Sequence, residues 1–430
     1  IENFAHTLEQ CIASTSVEHV VLCSMGDMLG TLKGCLVNYV VRNVKKMVPA
    51  FNLPKAVRYK DAIRRGSSAT FTKADVGPND IAVLQYTGGT TGVSKGAVLL
   101  HRNIIANTLQ CEAWFNPVLN VIRKSGEQVT SVCALPLYHI FAFTVNMMLA
   151  MHTGGKNILI PNPRDLAGTL KELSKHKFHN FPAVNTLFNG LAHHPDFNTV
   201  DWSHLKVSVG GGMAVQGAVA KLWLEKTGCP IVEGYGLSET SPVVSCNPVT
   251  AKEFTGTIGV PNSSTYVKLV GEDGHTVTEP GKTGEIAVKG PQVMAGYWQR
   301  PDETAKVMTA DGYFLTGDIG TMDERSFIKI VDRKKDMVLV SGFNVYPNEV
   351  EEVVAMCPGV LECAVVGVPD EKTGEAVKLV VVKKDDSLTE EALRKFCREN
   401  MTGYKQPRVI ECRIELPKTP VGKILRRELR

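Results

Sequence analysis

Five stretches of this chain concentrate residues able to do chemistry. The first is Tyr86-Thr87-Gly88-Gly89-Thr90-Thr91-Gly92-Val93-Ser94-Lys95-Gly96. Its glycines let the backbone approach an anion and turn N–H groups toward it. The Thr and Ser hydroxyls add donors and Lys95 adds a charge, so the stretch suits phosphate. It is not a Walker loop, because Ser94 precedes the lysine and Gly96 follows it. A flexible turn is the plain alternative, and a run this constrained argues against it.

The second stretch is Glu233-Gly234-Tyr235-Gly236-Leu237-Ser238-Glu239-Thr240, preceded by Val209-Gly210-Gly211-Gly212-Met213. Tyr235 between glycines offers an exposed ring face for a base. Glu239 offers a hard oxygen for Mg²⁺. An ordinary loop with a surface glutamate accounts for the same residues equally well. The third is Thr316-Gly317-Asp318, where a turn aspartate could accept from two ribose hydroxyls. The fourth is the charged run Asp332-Arg333-Lys334-Lys335-Asp336, followed by a segment containing Ser341-Gly342 and Pro347. A solvated face is the usual reading of such a run, and its place at a change of pattern favours a hinge. The fifth, Pro417 to Arg427, holds Lys423 on a Pro/Gly loop, a better mount for a lysine serving transition-state charge than a frayed helix.

The elements that carry these stretches alternate. Apolar runs predict strands at Ile81–Tyr86, Ala97–Leu100, Thr130–Leu135, Asn157–Ile160 and Lys206–Val209, with helical spacing between them. One helix is expected to start at a cap formed by Asn103, with Ile104, Ile105, Thr108 and Leu109 along one side. Alternating strands and helices imply a layered α/β domain. From Thr265 to Val288, short strands and Gly-rich turns predict an antiparallel β portion. Beyond Lys335 a small α+β module is expected. Pro347 starts a helix to about Met356, Val360–Val368 and Ala376–Val382 are strands, and Ser387-Leu388-Thr389-Glu390 is a capping box before a helix over Glu391–Asn400. The expected domains are thus 1–334 and 335–430. Val37–Val48 reads as a solvated basic surface helix. Val132–Met151 contains Pro136, His139 and Asn146, and reads as strand, turn and core helix rather than a membrane span.

At 430 residues the chain is too long for one core. A net charge of +4 gives no reason to invoke nucleic acid. Its 11 cysteines include no C-x-x-C pair, which fits buried thiols in a reducing cytoplasm better than a zinc or redox motif. The chain opens Ile1-Glu2-Asn3-Phe4 with no signal peptide pattern.

In this order the five stretches resemble the signatures of the adenylate-forming superfamily, which includes acyl-CoA synthetases, luciferases and peptide-synthetase adenylation domains. The resemblance runs from about Ile81 to the end. It is strongest to the bacterial long-chain fatty-acid–CoA ligases, through Leu135-Pro136-Leu137-Tyr138-His139-Ile140-Phe141, the segment from Asp332 to Glu349, and Thr402-Gly403-Tyr404-Lys405. The resemblance implies that Thr87, Gly88, Gly89, Thr90, Thr91, Gly92 and Lys95 hold the phosphates of ATP. Gly211, Gly212, Gly234 and Tyr235 would frame the adenine, with Glu233 and Gly236 in the same nucleotide-binding set. Ser238 would approach the α-phosphate, and Glu239 with Thr87 would meet Mg²⁺. Asp318 and Arg333 would bind the ribose. Lys335 falls at the hinge, Ser341 and Gly342 on a loop that serves coenzyme A, Lys423 at the bridge between carboxylate and α-phosphate, and His139 beside the acyl carboxylate. Asn185 would line the acyl pocket.

Two departures weaken the chain-length inference. Gly312-Tyr313-Phe314-Leu315 stands where that branch usually has Trp and His, and Glu324-Arg325-Ser326 replaces a glycine turn. Family members also extend beyond Ile1, so the large domain is expected to be truncated. The expected reaction is activation of a fatty acid by ATP to acyl-AMP and transfer to coenzyme A. The location is cytoplasmic, with peripheral attachment to the membrane's cytoplasmic face left open. Medium-chain or aryl acids, a carrier-protein acceptor and an inactive adenylate-binding fragment are the alternatives.

Overall fold

The computed structural model describes residues 1–87, 94–419 and 422–430. It contains two compact units, Ile1–Val76 and Gly77–Arg430. No change of composition or pattern marks the division after Val76.

The first unit holds helices Ala5–Cys11, Thr31–Tyr39 and Tyr59–Gly66, and a short parallel pairing of Val21–Leu22 with Val57–Arg58. The expected solvated helix over Val37–Val48 is instead the end of Thr31–Tyr39 and a π turn, Val40–Val44. Arg42 on that turn serves the interior. Its Nε and Nη2 donate to the buried Glu2 carboxylate at 2.9 and 2.8 Å, and Arg58 donates to the same group at 3.1 Å.

In the second unit, Ile81–Thr87 and Lys95–Leu100 form an antiparallel ribbon closed by the pair Thr87 and Lys95. The loop residues Gly88, Gly89, Thr90, Thr91 and Gly92 lie outside the described residues. A seven-stranded sheet follows, in the order Val260–Pro261, Val243–Cys246, Ile231–Gly236, Val207–Gly210, Asn180–Ala183, Thr130–Cys133, Lys156–Leu159. Its last five strands are parallel, and the inner three, Val207–Gly210, Asn180–Ala183 and Thr130–Cys133, are wholly buried, as a sheet covered on both faces requires. Trp202, Trp223, Phe181, Phe188 and Phe197 fill the layer beneath it.

The helix His101–Lys124 packs across this sheet, and it corrects the expected face. Ile104 and Thr108 are buried, but Ile105 and Leu109 are 52% and 48% exposed. In their place the helix buries Asn103, Asn107 and Gln110, whose amides hold backbone carbonyls at Val293, Val243 and Ser263. Asn103 is the third helical residue, not the cap itself. Its Oδ1 accepts from the N–H of the capping Leu100 at 2.8 Å, which still satisfies a helix-end donor. Among the described residues no helix is long and apolar enough to cross a membrane. The stretch Val132–Met151 is a buried strand end, a turn and the short helical segments Ile140–Ala142, Phe143–Met148 and Leu149–Thr153.

The antiparallel portion is a five-stranded sheet, Thr276–Val277, Tyr266–Val270, Gly284–Lys289, Phe314–Met322, Ile328–Arg333. From Val338 a further sheet assembles Phe343–Val345, Val338–Val340, Gly374–Lys383 and Val360–Asp370, with Val409–Arg413 parallel to Gly374–Lys383. Helices Pro347–Ala355 and Glu390–Asn400 belong to it, and its core is separate, built on Val350, Val354, Val365, Leu379 and Val381. The second helix begins at Glu390 and is capped by Thr389, which accepts from Ala392 N–H at 3.1 Å, rather than by Ser387.

Candidate active site

One cavity of about 630 Å³ in the second unit collects most of the singled-out residues. Strand ends supply its backbone rim. Val207–Gly210 runs into Gly211 and Gly212, and Ile231–Gly236 into Leu237, Ser238 and Glu239. Gly212 has φ +80°, a conformation natural to glycine, and sits beside Val184 and the Lys423 stem.

Asp318 and Arg333 face each other as register partners on neighbouring strands. Arg333 Nε meets Asp318 Oδ1 at 3.1 Å, and the Tyr235 hydroxyl donates to Oδ2 at 2.6 Å. The expectation of an exposed Tyr235 ring is therefore corrected. The residue is 8% exposed, with its hydroxyl tied inward and pushed well above its ordinary pKa by burial and by Asp318.

Glu239 is held by a residue the sequence reading missed. Its Oε1 accepts from the Tyr297 hydroxyl at 2.8 Å, and burial with the neighbouring Glu239 charge pushes Tyr297 upward. Tyr297 also lies under Lys95, whose ammonium is 5.1 Å from the ring centre and pairs with Glu303. Thr87 lines the cavity, but Lys95 does not. One carboxylate and one hydroxyl fit a Mg²⁺ that arrives on a nucleotide and keeps phosphate and water ligands. Among the described residues no cluster of three acidic, His or Cys side chains could hold an ion alone.

His139 precedes the helix Ile140–Ala142 and lines the cavity. Its Nδ1 accepts from Phe141 N–H at 3.3 Å, leaving Nε2 as the donor of a neutral ring. Burial first, then the charge of Lys423, lowers its pKa to about 4.

Lys423 enters from the far end of the chain. Its loop is braced internally by Thr419, whose N–H donates to Lys423 O at 2.8 Å and whose Oγ1 accepts from Lys423 N–H at 3.1 Å. Gly422, at φ +81°, passes close to Val184. Thr186 Oγ1 donates to Gly422 O at 3.2 Å, and Arg164 to Thr419 O at 3.3 Å. Burial, then Arg333, lowers the Lys423 pKa to about 8, against the pull of Asp318 and Glu239. Lys335 also lines the cavity, with its pKa lowered by burial and Arg333. Next to it, Asp336 meets Arg430 at 3.2 Å, and Arg426 binds Glu351 at 2.9 Å within 3.8 Å of both Asp332 and Asp336.

Four more of the singled-out residues fall elsewhere. Glu233 is buried behind the strand, accepts from Val215 N–H at 2.8 Å, and is pushed by burial to about 8. Asn185 does not line the cavity, and its Oδ1 accepts from Gln216 N–H at 3.0 Å. Ser341 and Gly342 form an exposed turn at positive φ, away from the cavity.

The opposite part of the cavity is apolar. It is lined by Cys111, Trp114 and Phe115 of the long helix, by Val145, and by Val243 and Cys246 of the strand beyond Glu239. Asn262 also lines the cavity. The 111-114-115 spacing is that of one helix face and was available to sequence reading.

Residues 4–298 match the family model for AMP-binding enzymes, and residues 349–423 match the model for the AMP-binding enzyme C-terminal domain. The long-chain-fatty-acid–CoA ligase of Escherichia coli O157:H7 is 54% identical over 430 residues, all of this chain and 75% of that protein. The long-chain-fatty-acid–CoA ligase of Bacillus subtilis strain 168 is 41% identical over 416 residues, 96% of this chain and 72% of that protein. The crystal structure of ATP-bound MatB from Rhodopseudomonas palustris superimposes with a TM-score of 0.81 at 28% identity, covering 98% of this chain and 80% of that one.

Proposed function

The chain belongs to the AMP-binding enzyme family, and from that premise we propose that it is a fatty-acid–CoA ligase that activates a long-chain fatty acid with ATP and passes the acyl group to coenzyme A. The observation that carries this reading is the form of the cavity. A polar end with Asp318, Arg333, Glu239, His139 and Lys423 opens into an apolar one with Trp114, Phe115, Val145 and Val243. Such a chamber suits a nucleotide beside an alkyl chain.

In this reading the carboxylate attacks the α-phosphorus and the bond to pyrophosphate breaks. Positioning and charge neutralisation do most of the work. Lys423 meets the charge that grows between carboxylate and α-phosphate. Asp318, oriented by Tyr235 and Arg333, takes the ribose hydroxyls. Glu239 and Thr87 would hold the Mg²⁺ that comes with ATP, an ion that supplies further charge neutralisation. His139, neutral with Nε2 as donor, turns toward the acyl carboxylate. In the second step the coenzyme A sulfur attacks the acyl carbon and AMP leaves.

Lys423 cannot occupy the phosphate region and leave it free for a thiol. The part of the chain from Lys335 onward is therefore the moving domain, and residues 334–337, between Ile328–Arg333 and Val338–Val340, are the hinge. The arrangement described here, with the Lys423 loop against Thr186 and Arg164, is the adenylating one. The turn at Ser341 and Gly342 is then free to come in for the thioester step.

ATP–pyrophosphate exchange across a series of fatty acids, followed by thioester formation on addition of free coenzyme A, tests the reading. Exchange driven by long-chain acids with coenzyme A as acceptor is the expected result. Exchange with aryl acids alone, or no thioester, would overturn it.

A further inference from the structure

Lys95 carries the only ammonium in the stretch Tyr86 to Gly96, yet it does not line the cavity. Its charge goes to another segment. The ammonium pairs with Glu303, whose side chain is 15% exposed, and lies 5.1 Å from the centre of the Tyr297 ring. Glu303 is held in turn by Lys306 at 2.6 Å and Arg300 at 3.5 Å. The backbones are joined as well. The segment 295–298 runs antiparallel to the strand Lys95–Leu100, with Ala97 bridged to Tyr297. Trp298 N–H donates to Gly96 O at 2.8 Å, Val98 N–H to Gly296 O at 2.9 Å and Ala295 N–H to Val98 O at 3.0 Å. Tyr297 N–H donates to Thr304 Oγ1 at 2.9 Å. The Tyr297 ring is thus fixed at its root, and its hydroxyl reaches Glu239 at 2.8 Å.

The main chain of Lys95 leads to Thr87. The two are register partners at the end of the ribbon, and Thr87 Oγ1 donates to Lys95 O at 3.4 Å. Lys95 therefore joins the groups read above as ligands of Mg²⁺. Its backbone holds Thr87, and its ammonium covers the ring whose hydroxyl holds Glu239. A phosphate oxygen would have to break both the ion pair and the ring contact to gain this ammonium.

Resting on the reading above, in which ATP brings Mg²⁺ to Glu239 and Thr87, we propose that Lys95 is a positioning residue for that ion rather than a phosphate ligand. Glu303 steers the Lys95 ammonium onto the Tyr297 ring, and Tyr297 holds the Glu239 carboxylate. The two roles for Lys95 give opposite results at Glu303, which does not line the cavity. A phosphate-binding lysine would be freed by removal of Glu303 and would bind ATP more tightly. A positioning lysine would lose its aim, and ATP carrying Mg²⁺ would bind less tightly.

The test is calorimetric binding of ATP, in excess Mg²⁺ and in EDTA, to the wild type, Lys95→Met, Lys95→Arg, Glu303→Ala and the Lys95→Met/Glu303→Ala double variant. Lys95→Met and Glu303→Ala should each raise Kd for Mg·ATP by about two- to fivefold, the scale of one exposed cation–π contact, and leave Kd for metal-free ATP unchanged. The double variant should be no weaker than Lys95→Met, because the two residues act through one chain of contacts. Lys95→Arg keeps a cation over the ring and should bind as the wild type does. Loss of both forms of ATP in Lys95→Met, or tighter binding in Glu303→Ala, makes Lys95 a phosphate ligand and overturns the proposal. Unchanged binding in both single variants, or additive losses in the double one, overturns it too. Glu303→Ala decides if Lys95→Met fails to fold. If the wild type binds neither form of ATP, the ligase reading falls and this proposal with it. A wild type that binds both forms equally sinks the proposal and leaves the ATP reading standing.

Discussion

The hydroxyl of Tyr235 donates to Asp318 across 83 residues of chain, at 2.6 Å, and so fixes one carboxylate oxygen while Arg333 fixes the other. The carboxylate is oriented before a nucleotide arrives, and each oxygen keeps lone-pair capacity for a ribose hydroxyl. Tyr235→Phe should raise KM for ATP by about 10- to 100-fold, the scale of one hydrogen bond to a charged group, with little change in KM for fatty acid. Steady-state kinetics in both substrates check this. Equal rises in both would make Tyr235 a support of the strand only.

Lys423 should govern adenylation alone. Lys423→Ala is expected to slow pyrophosphate exchange by about 10²–10³-fold and to spare the reaction of supplied acyl-AMP with coenzyme A. Because the pKa of Lys423 is lowered to about 8, its charge is lost as pH rises through that value. The kcat/KM for adenylation, which reports the free enzyme, should fall above about pH 8, and Lys423→Arg should remove that limb. An unchanged alkaline limb in the arginine variant assigns it to another group.

Glu239→Gln should raise the Mg²⁺ concentration needed for half-maximal exchange. Tyr297→Phe should move it the same way by less, since the tyrosine orients the carboxylate without supplying the charge. A Mg²⁺ titration that neither variant shifts would reduce Glu239 to a loop residue.

His139 titrates near 4, so it is neutral at all pH values above about 5. KM for fatty acid should show no ionisation from it between about pH 5 and 8. His139→Ala should raise that KM by roughly tenfold, the scale of one lost hydrogen bond to a carboxylate, and disturb KM for ATP less. The opposite ranking would place the ring on the nucleotide side.

Proline at position 335 fixes φ there and restricts Lys334. If the linker must adopt two shapes, Lys335→Pro should preserve one half-reaction and abolish the other. Pyrophosphate exchange and thioester formation from supplied acyl-AMP measure them separately. Survival of both would remove Lys335 from the hinge.

What sequence could read of this site was local. Gly211, Ser238 and Glu239 sit on short motifs at strand ends and Asp318 on one within the strand Phe314–Met322, where residue type and spacing carry the chemistry. The partners that orient them were hidden, because Tyr297 meets Glu239 across 58 residues and Tyr235 meets Asp318 across 83. The long helix was misjudged for a related reason. Apolar spacing picked Ile105 and Leu109, but its buried face is partly amide, since Asn103, Asn107 and Gln110 hold backbone carbonyls from distant segments. Glu233 and Asn185 show the converse, polar residues in promising positions whose side chains serve neighbouring backbone.

The loop of Lys423 rests on the large domain through the bonds from Thr186 and Arg164, and Asn189 adds one to Leu361 at 3.0 Å. Each such bond is worth about 0.5–1.5 kcal/mol net. A docked state held this lightly lies below its alternative by only a few kcal/mol, which leaves the undocked form at about 0.1–10% of molecules. Whatever leaves or enters the cavity then needs only a modest differential affinity to reverse the populations. In the two-step reading proposed above, release of pyrophosphate is one event that supplies such a difference.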